Sequence, residues 1–366
     1  MLRTLQKLFW PALVAAVLLL FVLQMVSSPK GPNQGTAIAH TDIQDENPLR
    51  AKLDDSSNRI SEIEGIGDLK VYKADKAFKA FTLYPVEGTA QVLLLNMQGE
   101  PVHKWDVDAD RARLLPNCNI LVIHGTKWGI KKKQWRKLRN FVTEYDWNGD
   151  VAWQYEAPDV AHHDVHRLQN GNTIFLHRTV LAPFSLPQIT DALRKSVPLR
   201  SDTMLEVDQN GDAIWQWHAH ENLDVNSCGK RSCSKHKRKT TGERFEDWTH
   251  INTVSVLPEN HWYREGHEEF KPGNIISIPR NHSRVMIIDR DTKKIVWHYD
   301  GDYKGGLGGG HEPHMIAEGL PGAGNLLIFD NGPGTHTNQS FALEINPVTK
   351  KVVWVYDAGS DFYSRA

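Results

Sequence analysis

Four short stretches of this chain carry imidazole, guanidinium and carboxylate groups together: 162-HHDVHRLQNGN-172, 247-DWTHINTVSV-256, 277-SIPRNHSR-284 and 311-HEPHMIAEGLPGAGNLLIFDNG-332. In three of them the histidines stand just ahead of an apolar run, and in the fourth Arg280 and His282 close one. Two chemistries suit such a set. Three neutral imidazoles fit zinc or copper, with Asp164 and Asp247 able to orient the rings from behind. Against a metal, these stretches carry no tight H-x-H or H-x-x-x-H pair held on regular structure, and Arg280 is a poor neighbour for a divalent cation. The other chemistry is nucleophilic. A neutral imidazole attacks the central atom of a tetrahedral oxyanion, a second protonates the departing oxygen, and a guanidinium holds the non-bridging oxygens. That requires no metal. A single histidine at such a position is most simply a satisfied loop residue, but three clusters in register strain that reading.

These groups meet only if something brings distant segments together, and the chain contains a repeat that can. The segments 92-VLLLNMQGEPVHKW-105, 142-VTEYDWNGDVAW-153, 204-MLEVDQNGDAIWQW-217, 286-MIIDRDTKKIVW-297 and 342-ALEINPVTKKVVW-354 share one pattern. Each is an apolar strand, a turn of Asn, Asp, Gly or Lys, and a second strand ending in Trp. Strand signals at 118-CNILVIHG-125, 168-LQNGNTIFLH-177, 273-GNIISI-278 and 324-GNLLIFDN-331 supply further strand pairs. Hairpins recurring in this way with few helices between them signal an all-β propeller. Its innermost strands line a channel, and the segments entering them crowd the channel mouth. Most of the 12 tryptophans are then wedges between blades. After the fifth Trp hairpin a further strand pair is expected. Either 71–83 closes the ring, or an edge stays open to pair with something, which leaves room for self-association.

Hydrophobic residues make up 40% of the 366, enough for a sizeable core, and the net charge of −1 gives no case for nucleic acid. Arg3 and Lys7 precede an uncharged run from Leu8 to Val26, close to a bilayer-spanning length. The expected organisation is a membrane anchor or signal over 1–29, a polar stalk over 30–63 and a propeller over 64–366. The basic residues in front put the bulk of the chain on the extracytoplasmic (periplasmic) side. Cys228 and Cys233 fit an oxidising compartment as a local disulfide, and Cys118 reads as a buried core thiol. The basic insertions at 131–139, 180–197 and around the cysteines read as solvated loops, with anionic lipid headgroups the functional alternative.

From about Leu69 onward the chain resembles the bacterial arylsulfate sulfotransferases, which do not use the PAPS donor. HHDVHRLQNGNT, DWTHINTVSVLP, IISIPRN and HMIAEGLPGAGNLLIFDNG carry the resemblance in the family's order. It implies a six-bladed propeller with its site at the channel mouth, the last blade being incomplete in this chain. It further implies transfer of a sulfuryl group from a phenolic sulfate ester to a phenolic acceptor through a sulfated histidine, with no cofactor and no metal. By motif match, His314 is the expected nucleophile. His250, Arg280 and His163 surround the sulfate oxygens and the leaving phenol, and His162, His311, Arg284 and Asn252 are expected as supports. The chain departs from the family in its N-terminal apolar run, in Ile278-Pro279 ahead of Arg280, and in the added imidazole of His311. His311 and His314 are an odd number apart and face opposite sides of a regular strand, so only a turn through Pro313 brings both to one pocket. Two other readings remain: a metal-dependent enzyme, which predicts a stoichiometric metal surviving dialysis, and a non-catalytic propeller binding a ligand or partner, which predicts no turnover. A quinone-dependent dehydrogenase also has Trp-rich blades, but the adjacent cysteines and calcium carboxylates it calls for are not found.

Overall fold

Middle strands such as 120-ILVI-123 and 285-VMII-288 are buried at every position, whereas the last strand of a repeat, such as Lys351–Tyr356, is mostly open. A strand apolar on both faces must be covered on both faces, and stacked sheets do this for one another. The computed structural model describes residues 72–364 except 76, 231, 234–236, 239–243 and 333–338. These residues form five successive sheets, antiparallel but for one added pair, the blades of a propeller.

The first blade holds β1 (Thr82–Pro85), β2 (Val92–Leu95) and β3 (Pro101–Trp105). The second holds β4 (Arg111–Leu114), β5 (Ile120–Ile123), β6 (Phe141–Tyr145) and β7 (Val151–Glu156). In the third, β8 (Ala161–Arg167), β9 (Thr173–Leu181), β10 (Leu199–Val207) and β11 (Ala213–His218) are extended by β12 (Lys237–Arg238) and by β13 (Arg244–Asp247), which runs parallel to β10. The fourth holds β14 (Ile251–Val256), β15 (Ile275–Pro279), β16 (Val285–Ile288) and β17 (Ile295–Tyr299). The fifth holds β18 (His311–Met315), β19 (Leu326–Asp330), β20 (Phe341–Asn346) and β21 (Lys351–Tyr356).

The expected count of six is corrected to five. Each Trp hairpin nucleates one sheet, and the described residues contain five such hairpins. The stretch near 71–83 supplies only β1, which pairs with β2 rather than making a sheet of its own. The expected anchor and stalk lie outside the described residues, among which no helix is long and apolar enough to cross a membrane.

The tryptophans join each blade to the next by indole hydrogen bonds to backbone carbonyls. Trp105 Nε1 donates to Asp146 O, Trp153 to Gln209 O, Trp217 to Lys293 O and Trp297 to Pro347 O, all at 2.9–3.0 Å. Each acceptor lies in or next to the hairpin turn of the following blade. Asp146, Asp208 and Asn346 build three of these turns by accepting backbone N–H groups from two to four residues on. Trp354 of the fifth blade occupies the place of Trp153 and Trp297 in its hairpin but is 49% exposed, and no described turn follows it.

Candidate functional site

Inner strands β8 and β18 have irregular pairing at their mouth ends, as does β14. Register shifts fall between Ala161 and Val165, between Ile251 and Val254, and between His311 and His314. A left-handed residue that is not glycine accompanies each: His163 (φ 61°), His250 (φ 50°) and Glu312 (φ 52°). Such bulges re-aim side chains out of the alternating pattern, and left-handed non-glycine backbone concentrates at functional sites.

The result is a cluster at one end of the channel. The rings of His163 and His250 meet edge to face with centroids 4.9 Å apart, and His162 Nδ1 lies 2.7 Å from His163 Nδ1. Burial lowers the pKa of His163 well below the ordinary value, and His162, His250 and His311 push it further down. His311 is held at about 4, first by burial, with Arg280 and His250 adding to the effect. His250 Nδ1 is 2.8 Å from Asp247 Oδ2. Beside it, Arg280 N donates to His250 O at 3.1 Å. The mouth therefore holds His163, His250 and His311 from three successive blades, with Arg280 near His311. Asn252 is buried and donates to Gly310 O at 3.1 Å, tying the fourth blade to the strand entry that carries His311. His162 is turned toward Asp202, with Nε2 3.1 Å from Oδ1.

His314 lies one pair further along. It is exposed and pairs with Leu327 on β19, whereas His311 pairs with Phe329, and partial desolvation, then Arg113 and His166, lower its pKa. The turn expected at Pro313 is replaced by the bulge at Glu312, which sets both imidazoles on one face of the sheet, opposite Phe329 and Leu327, one pair apart along the strand. Arg284 is also drawn off, gripping Asp300 through two contacts of 2.6 and 2.9 Å.

Next to the mouth histidines in sequence, charges from three blades pair with one another and a backbone N–H from a fourth joins them. Asp164 Oδ1 takes Arg113 at 2.7 Å and Arg111 at 3.4 Å, Asp164 Oδ2 accepts Val254 N at 3.0 Å, and both arginines reach Glu312. Burial opposes ionisation of Asp164, but His166, Arg113 and Arg111 outweigh it and hold the carboxyl far below the carboxylate range.

Sequence reasoning missed two contributors. Asn331, in the Phe-Asp-Asn-Gly turn, contacts His311 Nδ1 through Oδ1. Arg194, from a stretch read as a solvated loop, is 1% exposed and grips Glu246 at 2.7 and 2.9 Å, next to Asp247. Single buried arginines inside polar insertions carry no pattern that separates them from exposed ones. Cys228 and Cys233 are joined in a disulfide, with Cys228 Sγ 3.6 Å from Glu246 Oε1, so the same support reaches the strand that presents Asp247.

Among the described residues, the one group of three ligand-type side chains whose donor atoms lie close together is Cys228, Cys233 and Glu246, and its two sulfurs are bonded to each other. The mouth imidazoles do not gather their nitrogens into such a set.

The fold and site define a β-propeller with a histidine-lined channel mouth. The chain belongs to the arylsulfotransferase (ASST) family, whose sequence profile matches residues 73–305. That match includes His163, His250 and Arg280 and ends before His311 and His314. No curated protein matches the chain. Among solved structures, it is similar to a protein of unknown function from Bacteroides caccae (12% identity, TM-score 0.43, 75% of this chain and 72% of that one). Dihydro-heme d1 dehydrogenase NirN is another (8%, TM-score 0.37, 76% and 45%), and so is an inactive virginiamycin B lyase from Staphylococcus aureus (6%, TM-score 0.34, 78% and 75%). At these scores none of them bears on what this chain does.

Proposed function

We propose that the chain transfers a sulfuryl group from an aryl sulfate to a phenolic acceptor, with His311 as the nucleophile. Family membership supports aryl sulfate chemistry and small aromatic substrates. The observation that carries the histidine mechanism is the contact of His163 with His250, beside which Arg280 N bonds His250 O and Asn252 bonds Gly310 O at the entry to His311. Arg280 and His163 bind the sulfate oxygens. The His311 Nε2 lone pair forms the N–S bond, the S–O(aryl) bond breaks, and its electron pair goes to the phenolic oxygen. His250, with Asp247 on Nδ1, gives that oxygen its proton from Nε2. In the second half an acceptor phenol returns a proton to His250 and displaces the sulfuryl group from nitrogen. His311 suits attack because burial keeps it neutral at physiological pH. His314, the expected nucleophile, sits instead with Arg113 and His166.

The reading extends to placement on the extracytoplasmic side of a membrane, supported by the apolar run after Arg3 and Lys7 and by the disulfide. The test is incubation with 4-nitrophenyl sulfate and a phenol, followed by peptide fragmentation to locate an added SO3. Adduct on His311 supports the proposal. Adduct on His314, or turnover unchanged in His311→Ala, overturns the assignment.

A further inference from the structure

The Phe-Asp-Asn-Gly turn at 329–332 has so far only followed the site in sequence, yet its hydrogen bonds converge on His311. We propose that Asn331 is a positioning residue that fixes the His311 proton on Nδ1 and leaves the lone pair on Nε2. This deepens the sulfuryl-transfer reading and rests on it for its chemical consequence, though not for its geometry.

Two oxygens meet His311 Nδ1: the Gly309 carbonyl at 3.0 Å and Asn331 Oδ1. A backbone carbonyl only accepts. An amide could turn over and offer N–H instead, so the orientation of Asn331 decides the tautomer. That orientation is set from the far side, where Asn331 Nδ2 donates to Ser364 O at 3.1 Å. Turning the amide over would set its oxygen against that carbonyl. Ser364 is itself held by donating its N–H to Ser340 Oγ at 2.9 Å, and Ser340 Oγ donates to Asn331 O at 3.1 Å. Asn331 is 1% exposed, so water does not relieve a wrong orientation. Asp330 sets the second acceptor, because its Oδ1 takes Gly308 N at 2.9 Å and Gly332 N at 3.0 Å and so fixes the loop carrying the Gly309 carbonyl. With both acceptors in place, Nδ1 must carry hydrogen and Nε2 is the nucleophile.

The neutrality of Asn331 also matters. When Nε2 takes the sulfuryl group, the ring becomes a cation with its proton still on Nδ1. An amide oxygen steadies that proton without removing it, so nitrogen remains a good leaving group for the second transfer. A carboxylate at 331 would draw the proton toward itself and leave a more neutral, less reactive N-sulfo ring.

The experiment is 15N NMR of histidine-labelled full-length protein, with His311 assigned by its loss in His311→Gln, alongside pre-steady-state release of 4-nitrophenol. In the wild-type protein His311 is expected as the Nδ1–H tautomer. Asn331→Ala is expected to mix the tautomers and slow the first phenol release by about 10–100-fold. Asn331→Asp, which keeps shape and acceptor, is expected to keep the tautomer, raise the pH at which His311 titrates and let sulfated enzyme accumulate. It also serves as the second arm if the alanine variant fails to fold. A wild-type Nε2–H tautomer overturns the proposal, as does a His311 titration unmoved in Asn331→Asp. If the tautomer is as stated but no aryl sulfate is turned over, the positioning role stands and the sulfuryl reading falls.

Discussion

His311 and His314 lie three residues apart on β18, and the bulge at Glu312 sets both on one face, His311 level with Phe329 toward His250 and Arg280, His314 level with Leu327 toward Arg113 and His166. Removing the His311 imidazole is therefore expected to lower aryl sulfate turnover by at least ~10³-fold, with less than about tenfold for His314→Ala; steady-state rates of the two purified variants check this. Burial also makes two histidines sensitive to acid. His124 and His311 protonate only near pH 4 in the folded chain, against an ordinary value of 6.5. Between those values the unfolded chain binds more protons, so stability is present above about pH 6.5 and falls as pH drops toward 4. For His124, which is 1% exposed, the loss is about 3 kcal/mol, readable from urea unfolding at pH 7.5 and 4.5 in wild type and His124→Gln. The sequence displayed the imidazoles and their clustering. It did not show which of the pair at 311 and 314 faces His250, because period-two reasoning assumes an unbroken strand, and a bulge at Glu312 leaves no mark in residue type.

At the scale of the elements, Asp164 binds three blades at once, as a residue of β8 that holds Arg113 of β4 and the backbone of β14. Asp164→Ala leaves two arginines and a backbone N–H without their shared acceptor, and a cost of about 3–5 kcal/mol is expected in chemical denaturation. The disulfide closes only a short loop, five positions from Cys228 to Cys233, so its reduction is expected to cost about 2 kcal/mol. Thermal unfolding with and without reductant measures that. The hairpins themselves were legible, because their Asn/Asp turns and terminal Trp recur in plain view. Asp164 was read as an orienter of histidine rings, and its larger role depends on which strands become neighbours around the axis. Nothing local in HHDVHR encodes that.

For the whole molecule, five Trp hairpins give five blades, and the sixth came from family resemblance rather than from the repeat itself. The tryptophans allow a direct comparison. Trp215 is 8% exposed and bonded to Arg290 O, so Trp215→Ala is expected to cost about 3–5 kcal/mol. Trp354, at the matching place and 49% exposed, is expected to change stability by no more than ~0.5 kcal/mol when replaced by Ser, and its fluorescence should be readily quenched by acrylamide. Equal costs at the two positions would mean that the fifth blade is covered as the third is.

The belt of paired charges at Arg111, Arg113, Asp164 and Glu312 sits beside the proposed nucleophile, Glu312 being the next residue to His311. On the proposed reaction both phenols use the one imidazole, so the departing phenol leaves before the next one enters. Donor and acceptor then queue for the same seat, giving parallel double-reciprocal lines and inhibition of each by an excess of the other.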